Sequence, residues 1–202
     1  EFLEDPRAIV LPDKRVLVGL TSVQRAPNGD YIPHPSILYL PSTDEIPEII
    51  QPHRVITEFG PGKNLVPVDS KTFLFRQEGP ENNHKLLVIK WDEKENSVRE
   101  GGVLEFPTDL DWASFRIGTT MPPIWVNDKE ALMIFHGIKK ILKTGEGSSQ
   151  ETEKYVYSLG IAKLEKDEYG KLKLSSKENV CKLPILHPDD LTIGNQALSP
   201  EL

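Results

Sequence analysis

Three groups of charged and hydrogen-bonding side chains, far apart along the chain, are the residues best suited to chemistry. Their members are Glu4, Asp5 and Arg7; Lys63, Asn64, Arg76 and Glu78; and Thr119, Thr120 and His136. A carboxylic acid can transfer a proton to a leaving group, and Arg and Lys hold anions through charge-assisted hydrogen bonds. An acid combined with several cations suits a reaction between an anionic co-substrate and a neutral, hydroxyl-rich one.

The chain repeats one pattern around these groups, at 5–23, 60–79 and 118–138. A polar or Pro-containing start leads to a short apolar run, a turn that ends in Lys, and a second apolar strand. Segments rich in branched and aromatic residues, bounded by Pro, Gly, Asn and Asp, are typical of β-hairpins. The pattern therefore predicts three hairpins, one for each group.

The turn lysines give the length of the repeat, because Lys14, Lys71 and Lys129 are 57 and 58 residues apart. A period of this order indicates four-stranded propeller blades, which bury their faces against one another around an axis. We expect an all-β fold and one propeller domain over 1–202 that is incomplete as a ring. Its repeats should lie near 5–58, 60–107 and 112–190, with a further unit starting at 194–202. Inner strands line the axis of a propeller, so the three groups should meet in one pocket.

Composition narrows the classes of partner and compartment. The net charge of −7 and the pI near 5.3 argue against a nucleic-acid partner. No apolar run approaches the roughly 20 residues that a membrane-spanning helix needs. The single cysteine, Cys181, allows no internal disulfide and fits a reducing, cytoplasmic location. The histidines show no spacing typical of a zinc site, so no metal is expected.

Two further features bear on the fold. The polar, Gly- and Ser-rich segment 143–154 is predicted to be a loop, and the apolar segment 155–164 after it a strand. The tryptophans Trp91, Trp112 and Trp125 are interpreted as core residues rather than as platforms for sugar rings.

Six short motifs occur in the order found in one enzyme family. They are EDPR at 4–7; Lys63-Asn64 with Arg76; Trp112 followed by RIGTTMPPI; FHG at 135–137; YSLGIAKL at 157–164; and GNQALSP at 194–200. In these motifs the chain resembles glycoside hydrolase family 130, the mannoside phosphorylases and related mannosidases. The resemblance implies a five-bladed β-propeller, of which this chain covers about three to four blades. It departs from the family at Gln77, where Pro is usual, and at Phe135, where Tyr is common.

The resemblance also implies a reaction, the inverting phosphorolysis of β-mannosides, and hence an enzyme that is a glycoside phosphorylase. Asp5 would be the general acid and would protonate the leaving oxygen through a hydroxyl of the bound mannose. Inorganic phosphate, the co-substrate, would attack the anomeric carbon from the opposite face and release mannose 1-phosphate. The residues that match the family's phosphate ligands are Lys63, Asn64, Arg76, His136 and Tyr157. Arg7 would hold the sugar or orient Asp5, and no other cofactor is implied.

Two alternatives stay open. An inverting β-mannosidase would use a carboxylate base and water in place of phosphate. A non-catalytic propeller would bind sugars or act as a scaffold, because a propeller by itself does not define a function. Under each hypothesis a β-mannoside oligosaccharide or a partner protein is the ligand, no membrane is involved, and a homo-oligomer is possible.

Overall fold

A computed structural model describes residues 2–41, 52–144, 151–176, 178 and 180–183. These residues form fourteen β-strands and two single-turn 3₁₀ helices, Pro80–Asn82 and Asp111–Ala113. The prediction of an all-β fold is therefore confirmed. No helix among the described residues has the length and apolar character needed to cross a bilayer.

The strands of the described residues are arranged in three antiparallel sheets. Sheet A contains, in spatial order, β1 (Phe2–Val10), β2 (Val16–Arg25), β3 (Tyr31–Leu40) and β4 (Arg54–Val55). Sheet B contains β5 (Gly62–Asp69), β6 (Thr72–Gln77), β7 (Lys85–Asp92) and β8 (Ser97–Glu105). Both are simple meanders, in which each strand pairs with the next one along the chain.

Sheet C is built on two long strands, β11 (Glu130–Thr144) and β12 (Glu151–Lys166). Two short strands, β9 (Arg116–Thr119) and β10 (Ile124–Trp125), pair one after the other with β11. On the far side, β13 (Leu172–Leu174) and β14 (Val180–Lys182) both pair with β12. β9 and β10 thus act together as one interrupted first strand.

The three lysines that define the repeat occupy equivalent turns. Lys14 lies between β1 and β2, Lys71 between β5 and β6, and Lys129 between β10 and β11. Each sheet therefore begins with the hairpin that the sequence pattern predicts. The proposed start of a further unit at 194–202, with its GNQALSP motif, lies outside the described residues.

The core lies between the sheets, and sheet B has both of its faces covered. Successive side chains of a strand point to opposite faces, and β6 shows the consequence. Phe73 and Phe75 pack into the cluster shared with sheet A, whereas Leu74 packs into the cluster shared with sheet C. Along β7, Leu87 and Ile89 likewise face sheet A, while Leu86 and Val88 face sheet C. A strand buried on both sides needs a continuous apolar run, which explains the composition of these segments.

The first strand of each sheet is irregular near its N-terminal end. In β1 two residues, Asp5 and Pro6, lie opposite a single residue of β2, which defines a β-bulge. In β5 the pair Asn64 and Leu65 forms the same irregularity opposite β6. In sheet C the corresponding place is the gap between β9 and β10. These irregularities bend the strand ends where the chemical groups lie.

Two segments differ from their predicted structure. The EDPR motif at 4–7 lies within β1, which begins at Phe2, because the bulge lets the strand continue past the proline. Both ends of the predicted loop 143–154 are strands, since β11 extends to Thr144 and β12 begins at Glu151, and its middle, 145–150, lies outside the described residues. Continuous pairing from Ile138 with Tyr157 to Thr144 with Glu151 satisfies the backbone of this polar stretch.

Candidate functional site

A pocket of about 420 Å³ lies at the bulged ends of the first strands. It is lined by all seven residues to which the sequence analysis gave a role in the predicted reaction: Asp5, Arg7, Lys63, Asn64, Arg76, His136 and Tyr157. Glu78, Arg116 and Ile138 complete the lining. The three sheets thus bring together groups that are up to 152 positions apart in sequence, from Asp5 to Tyr157. Their convergence is a structural finding, and their individual roles stay predictions.

Arg7 ties the three sheets together at this pocket. Its Nε donates to the main-chain oxygen of Thr120 at 2.9 Å, and its Nη2 to Thr119 O at 3.4 Å. Nη2 also donates to Asn64 Oδ1 at 3.2 Å, and Nη1 to the main-chain oxygen of Asp5 at 2.6 Å. Arg7 therefore contacts residues of all three sheets, through main-chain oxygens of Asp5, Thr119 and Thr120 and through the side chain of Asn64.

Asn64 is 5% exposed and fixes the floor of the pocket. Its main-chain oxygen accepts a hydrogen bond from Thr119 Oγ1 at 2.5 Å. Its side chain packs against Gly118, where a Cβ would lie 2.6 Å from Asn64 Nδ2 and 2.6 Å from His136 Nε2. Only glycine leaves enough room at 118 for both side chains.

Arg76, Glu78 and Arg116 form a charged cluster along one wall. Arg76 is only 5% exposed, and its Nη2 lies 2.7 Å from Glu78 Oε1. The other carboxylate oxygen of Glu78 lies 3.4 Å from Arg116 Nη1. Arg76 Nε is buried and has no hydrogen-bond partner among the described residues. A buried donor in this state is costly, so an incoming acceptor would be favoured here.

The carboxylates of the site differ in their partners. Glu4 is paired with Lys63, whose Nζ lies 2.7 Å from Glu4 Oε1, and Glu78 bridges the two arginines. Asp5 is exposed, and no ion pair to its carboxylate is found among the described residues. Asp5 is therefore the pocket acid that remains available to a ligand.

Burial and repulsion between basic groups lower the pKa values of three residues that line the pocket. Desolvation lowers the pKa of Arg76, and the charge of Glu78 opposes that shift. Desolvation also lowers the pKa of Arg7, against the effect of Asp5. The pKa of His136 falls from 6.5 to about 4, first because the ring is buried and then because Arg76 and Arg7 repel its charged form. At neutral pH His136 is thus a neutral hydrogen-bonding group beside desolvated cations.

Tyr157 forms the open side of the pocket. It is 63% exposed, and its ring centroid lies 5.9 Å from that of His136. Ile138, its partner across the β11–β12 pair, is buried. Tyr157 therefore presents an apolar ring and a hydroxyl at the mouth of the pocket.

Two of the hydrogen-bonding residues named in the sequence analysis, Thr119 and Thr120, do not line the pocket. Thr119 and Thr120 donate their hydroxyl protons to main-chain oxygens of Asn64 and Ile134. They stabilise the break between β9 and β10. Arg116, by contrast, was missed. The sequence signal for Arg116 was its position in RIGT, two residues before Gly118. In the structure Arg116 pairs with Ile138, so its side chain lies on the same sheet face as that of His136.

A second, larger cavity of about 510 Å³ lies at the opposite ends of the first strands, among the hairpin turns. Its arginine, Arg15, is bound to Asp13 at 2.7 Å and to Glu93 at 2.5 Å. The charges of Asp13, Arg15 and Glu93 thus satisfy one another. Within the described residues, no group of three His, Cys, Asp or Glu side chains is placed to hold a metal ion.

No family model matches the sequence, and no curated protein or solved structure matches it either. The resemblance to glycoside hydrolase family 130 therefore stays a prediction.

Proposed function

We propose that the chain carries the active site of an enzyme that cleaves β-mannosides by inverting phosphorolysis. The observation that carries the proposal is the meeting of Asp5, an acid without an ion pair among the described residues, with buried and partly buried arginines in a single pocket. We further propose that sheets A, B and C are consecutive blades of a five-bladed β-propeller. In support, sheets A and B are four-stranded meanders, sheet C has a related arrangement, and the first strands place their N-terminal ends together.

The cationic wall supports an anionic nucleophile. Arg76, Arg116 and Lys63 line one pocket, with Asn64 and neutral His136 as further hydrogen-bonding groups. Guanidinium groups bind phosphate oxygens through paired, charge-assisted hydrogen bonds. Arg76 Nε, which is buried and has no hydrogen-bond partner among the described residues, is a further donor on this wall. Phosphate held here would be oriented for attack on the anomeric carbon.

Asp5 supplies the proton in this proposal. Asp5 is exposed, and its carboxylate takes no part in the ion pairs of the wall. A sugar between Asp5 and the cationic wall would have its leaving oxygen on one side and phosphate on the other. This arrangement is the one that inversion requires. Arg7 would act mainly as a positioning residue, because its three nitrogen atoms already bind protein oxygens.

The carboxylates of the pocket favour phosphate over water as the nucleophile. An inverting hydrolase needs a second carboxylate that is free to take a proton from water. Glu4 and Glu78 are both held in ion pairs. Neither has the freedom of a general base, so hydrolysis is the less favoured alternative.

The experiment that tests the proposal measures products from short β-mannosides with and without inorganic phosphate. We expect phosphate-dependent mannose 1-phosphate, which disappears in Asp5→Asn. A matched control is Asp109→Asn, since Asp109 is exposed and is not among the residues that line the pocket. Free mannose without a phosphate requirement would indicate the hydrolase. No product of either kind, with sugar binding retained, would indicate the non-catalytic propeller.

A further inference from the structure

Glu78 occupies the donors that an anionic ligand would use. Its two carboxylate oxygens lie 2.7 Å from Arg76 Nη2 and 3.4 Å from Arg116 Nη1. Both arginines line the pocket. The carboxylate therefore lies between the two guanidinium groups as a bound oxyanion would.

The backbone of Glu78 is fixed by hydrogen bonds, whereas its side chain is held only by the two arginines among the described residues. Its main-chain N–H donates to Pro61 O at 2.9 Å, and its main-chain oxygen accepts from Asn82 Nδ2 at 3.2 Å. The side chain is 30% exposed and carries no hydrogen bonds beyond the arginines among the described residues. Rotation about its own bonds would therefore release the arginines without moving the strand.

The pocket is better satisfied by a stronger anion than by Glu78. The carboxylate has only two oxygens, and the buried Nε of Arg76 has no hydrogen-bond partner among the described residues. A tetrahedral dianion offers more oxygens and a second charge to the same donors. The negative charge of Glu78, only a few ångströms away, would repel that dianion.

We infer that Glu78 is a specificity-determining residue that acts as a built-in competitor of phosphate. It holds Arg76 and Arg116 when the pocket is empty, and it must turn away before a phosphate oxygen can take their donors. Weak, singly charged anions do not displace it, whereas a phosphate dianion does. The inference rests on the anion-binding part of the proposed function and adds the residue that sets its affinity.

The test is phosphate binding to the wild-type chain and to Glu78→Gln, by calorimetry at constant ionic strength. Gln keeps the shape and removes the charge, so we expect phosphate affinity to rise by at least about tenfold. Acetate, a singly charged probe, should bind measurably only to the variant. Glu81→Gln is the control for net charge, because Glu81 is exposed and three positions away, and it should change affinity less than about twofold.

A phosphate affinity that falls or stays the same in Glu78→Gln would overturn the inference. If Glu78 served to hold the arginines in place, Glu78→Gln would weaken phosphate binding, and equal affinity would show that Glu78 does not compete. Undetectable phosphate binding in both proteins would also overturn it. Should Glu78→Gln fail to fold, Glu78→Asp serves instead. Its shorter side chain cannot bridge both arginines, and it should raise affinity by a smaller factor.

The outcome is separable from that of the proposed function. If Glu78→Gln binds phosphate more tightly but the wild-type chain does not cleave mannosides, the role of Glu78 as a competitor stands and the phosphorylase proposal is rejected. If the wild-type chain cleaves mannosides in a phosphate-dependent way but Glu78→Gln binds phosphate equally or more weakly, the phosphorylase proposal stands and the competitor role is rejected.

Discussion

Asp5 and Asn64 occupy the same structural position in two neighbouring sheets. Each is the first of the two bulge residues in the first strand of its sheet, opposite one residue of the second strand. Each has a left-handed backbone, with φ of 56° at Asp5 and 60° at Asn64. Asp and Asn are the residues that best tolerate this conformation after glycine. The bulge thus selects the residue type and turns both side chains into one pocket.

The left-handed backbone predicts how substitutions at position 5 will behave. Asp5→Asn keeps a residue that tolerates positive φ, so its free energy of unfolding should stay within about 0.5 kcal/mol of wild type. Asp5→Ala should cost about 1 kcal/mol more, because alanine is strained there. Chemical denaturation measures both values. Equal stability of the two variants would contradict the strain argument.

Arg7 should contribute more to stability than an arginine in a surface ion pair. Arg7→Lys loses the donors that reach Asn64 Oδ1 and the main-chain oxygens of Thr119 and Thr120, so we expect a loss of about 1–3 kcal/mol. Arg15→Lys is the matched control, since its ion pairs are exposed, and it should cost at most about 1 kcal/mol. Thermal unfolding of the two variants compares them directly. A larger loss for Arg15→Lys would show that Arg7 does not tie the sheets.

Alanine substitutions at Gly118 and Gly137 distinguish an effect on the shape of the site from an effect on stability alone. A Cβ at 118 would lie 2.6 Å from Asn64 Nδ2, whereas one at 137 would lie 2.5 Å from Ala113 Cβ, in the core. Both alanine variants should lose about 1–3 kcal/mol through overpacking. Only Gly118→Ala should weaken phosphate binding, by about tenfold, because it displaces Asn64. Phosphate titrations of both variants test this difference, and equal losses of affinity would contradict it.

The depressed pKa of His136 makes stability depend on pH. Its pKa is 6.5 in an ordinary environment and about 4 in the folded chain. Between these values the unfolded chain binds a proton that the folded chain does not, so the free energy of unfolding falls as pH falls. The total loss on acidification to pH 4 should be about 3 kcal/mol, most of it between pH 6.5 and pH 4 and only about 0.4 kcal/mol above pH 6.5.

His136→Gln should remove this dependence. Other groups titrate in the same range, so the measured quantity is the difference between variant and wild type at each pH. His84→Gln is the control, since His84 lies outside the pocket with its Nε2 2.9 Å from Ala113 O. If the two curves for wild type and His136→Gln are parallel from pH 7 to pH 4, His136 is not desolvated as the structure indicates. Bound phosphate should shift the wild-type curve, because a nearby dianion favours the charged imidazole.

Local pattern was enough to locate the hairpins and most of the site. Lys14, Lys71 and Lys129 marked real turns because a turn needs a few polar residues whatever its tertiary surroundings. The strand ends were predicted less well, at β1 and at β11 with β12. Whether a polar stretch continues as a strand depends on a partner strand, as at Thr144 and Glu151, and that pairing is not encoded locally.

By itself, the sequence determined the all-β class, the repeat and most of the residues that meet in the pocket, because alternation and turn composition act over a few neighbouring positions. Only the tertiary structure decided which charges remain available. Asp5, Glu4 and Glu78 are equivalent acids in the sequence, yet Lys63 holds Glu4 and two arginines hold Glu78. Arg116 and Gly118 likewise acquire their place through the pairing of β9 with β11. Charge pairing depends on distances of a few ångströms between distant segments, and those distances exist only after the sheets have packed.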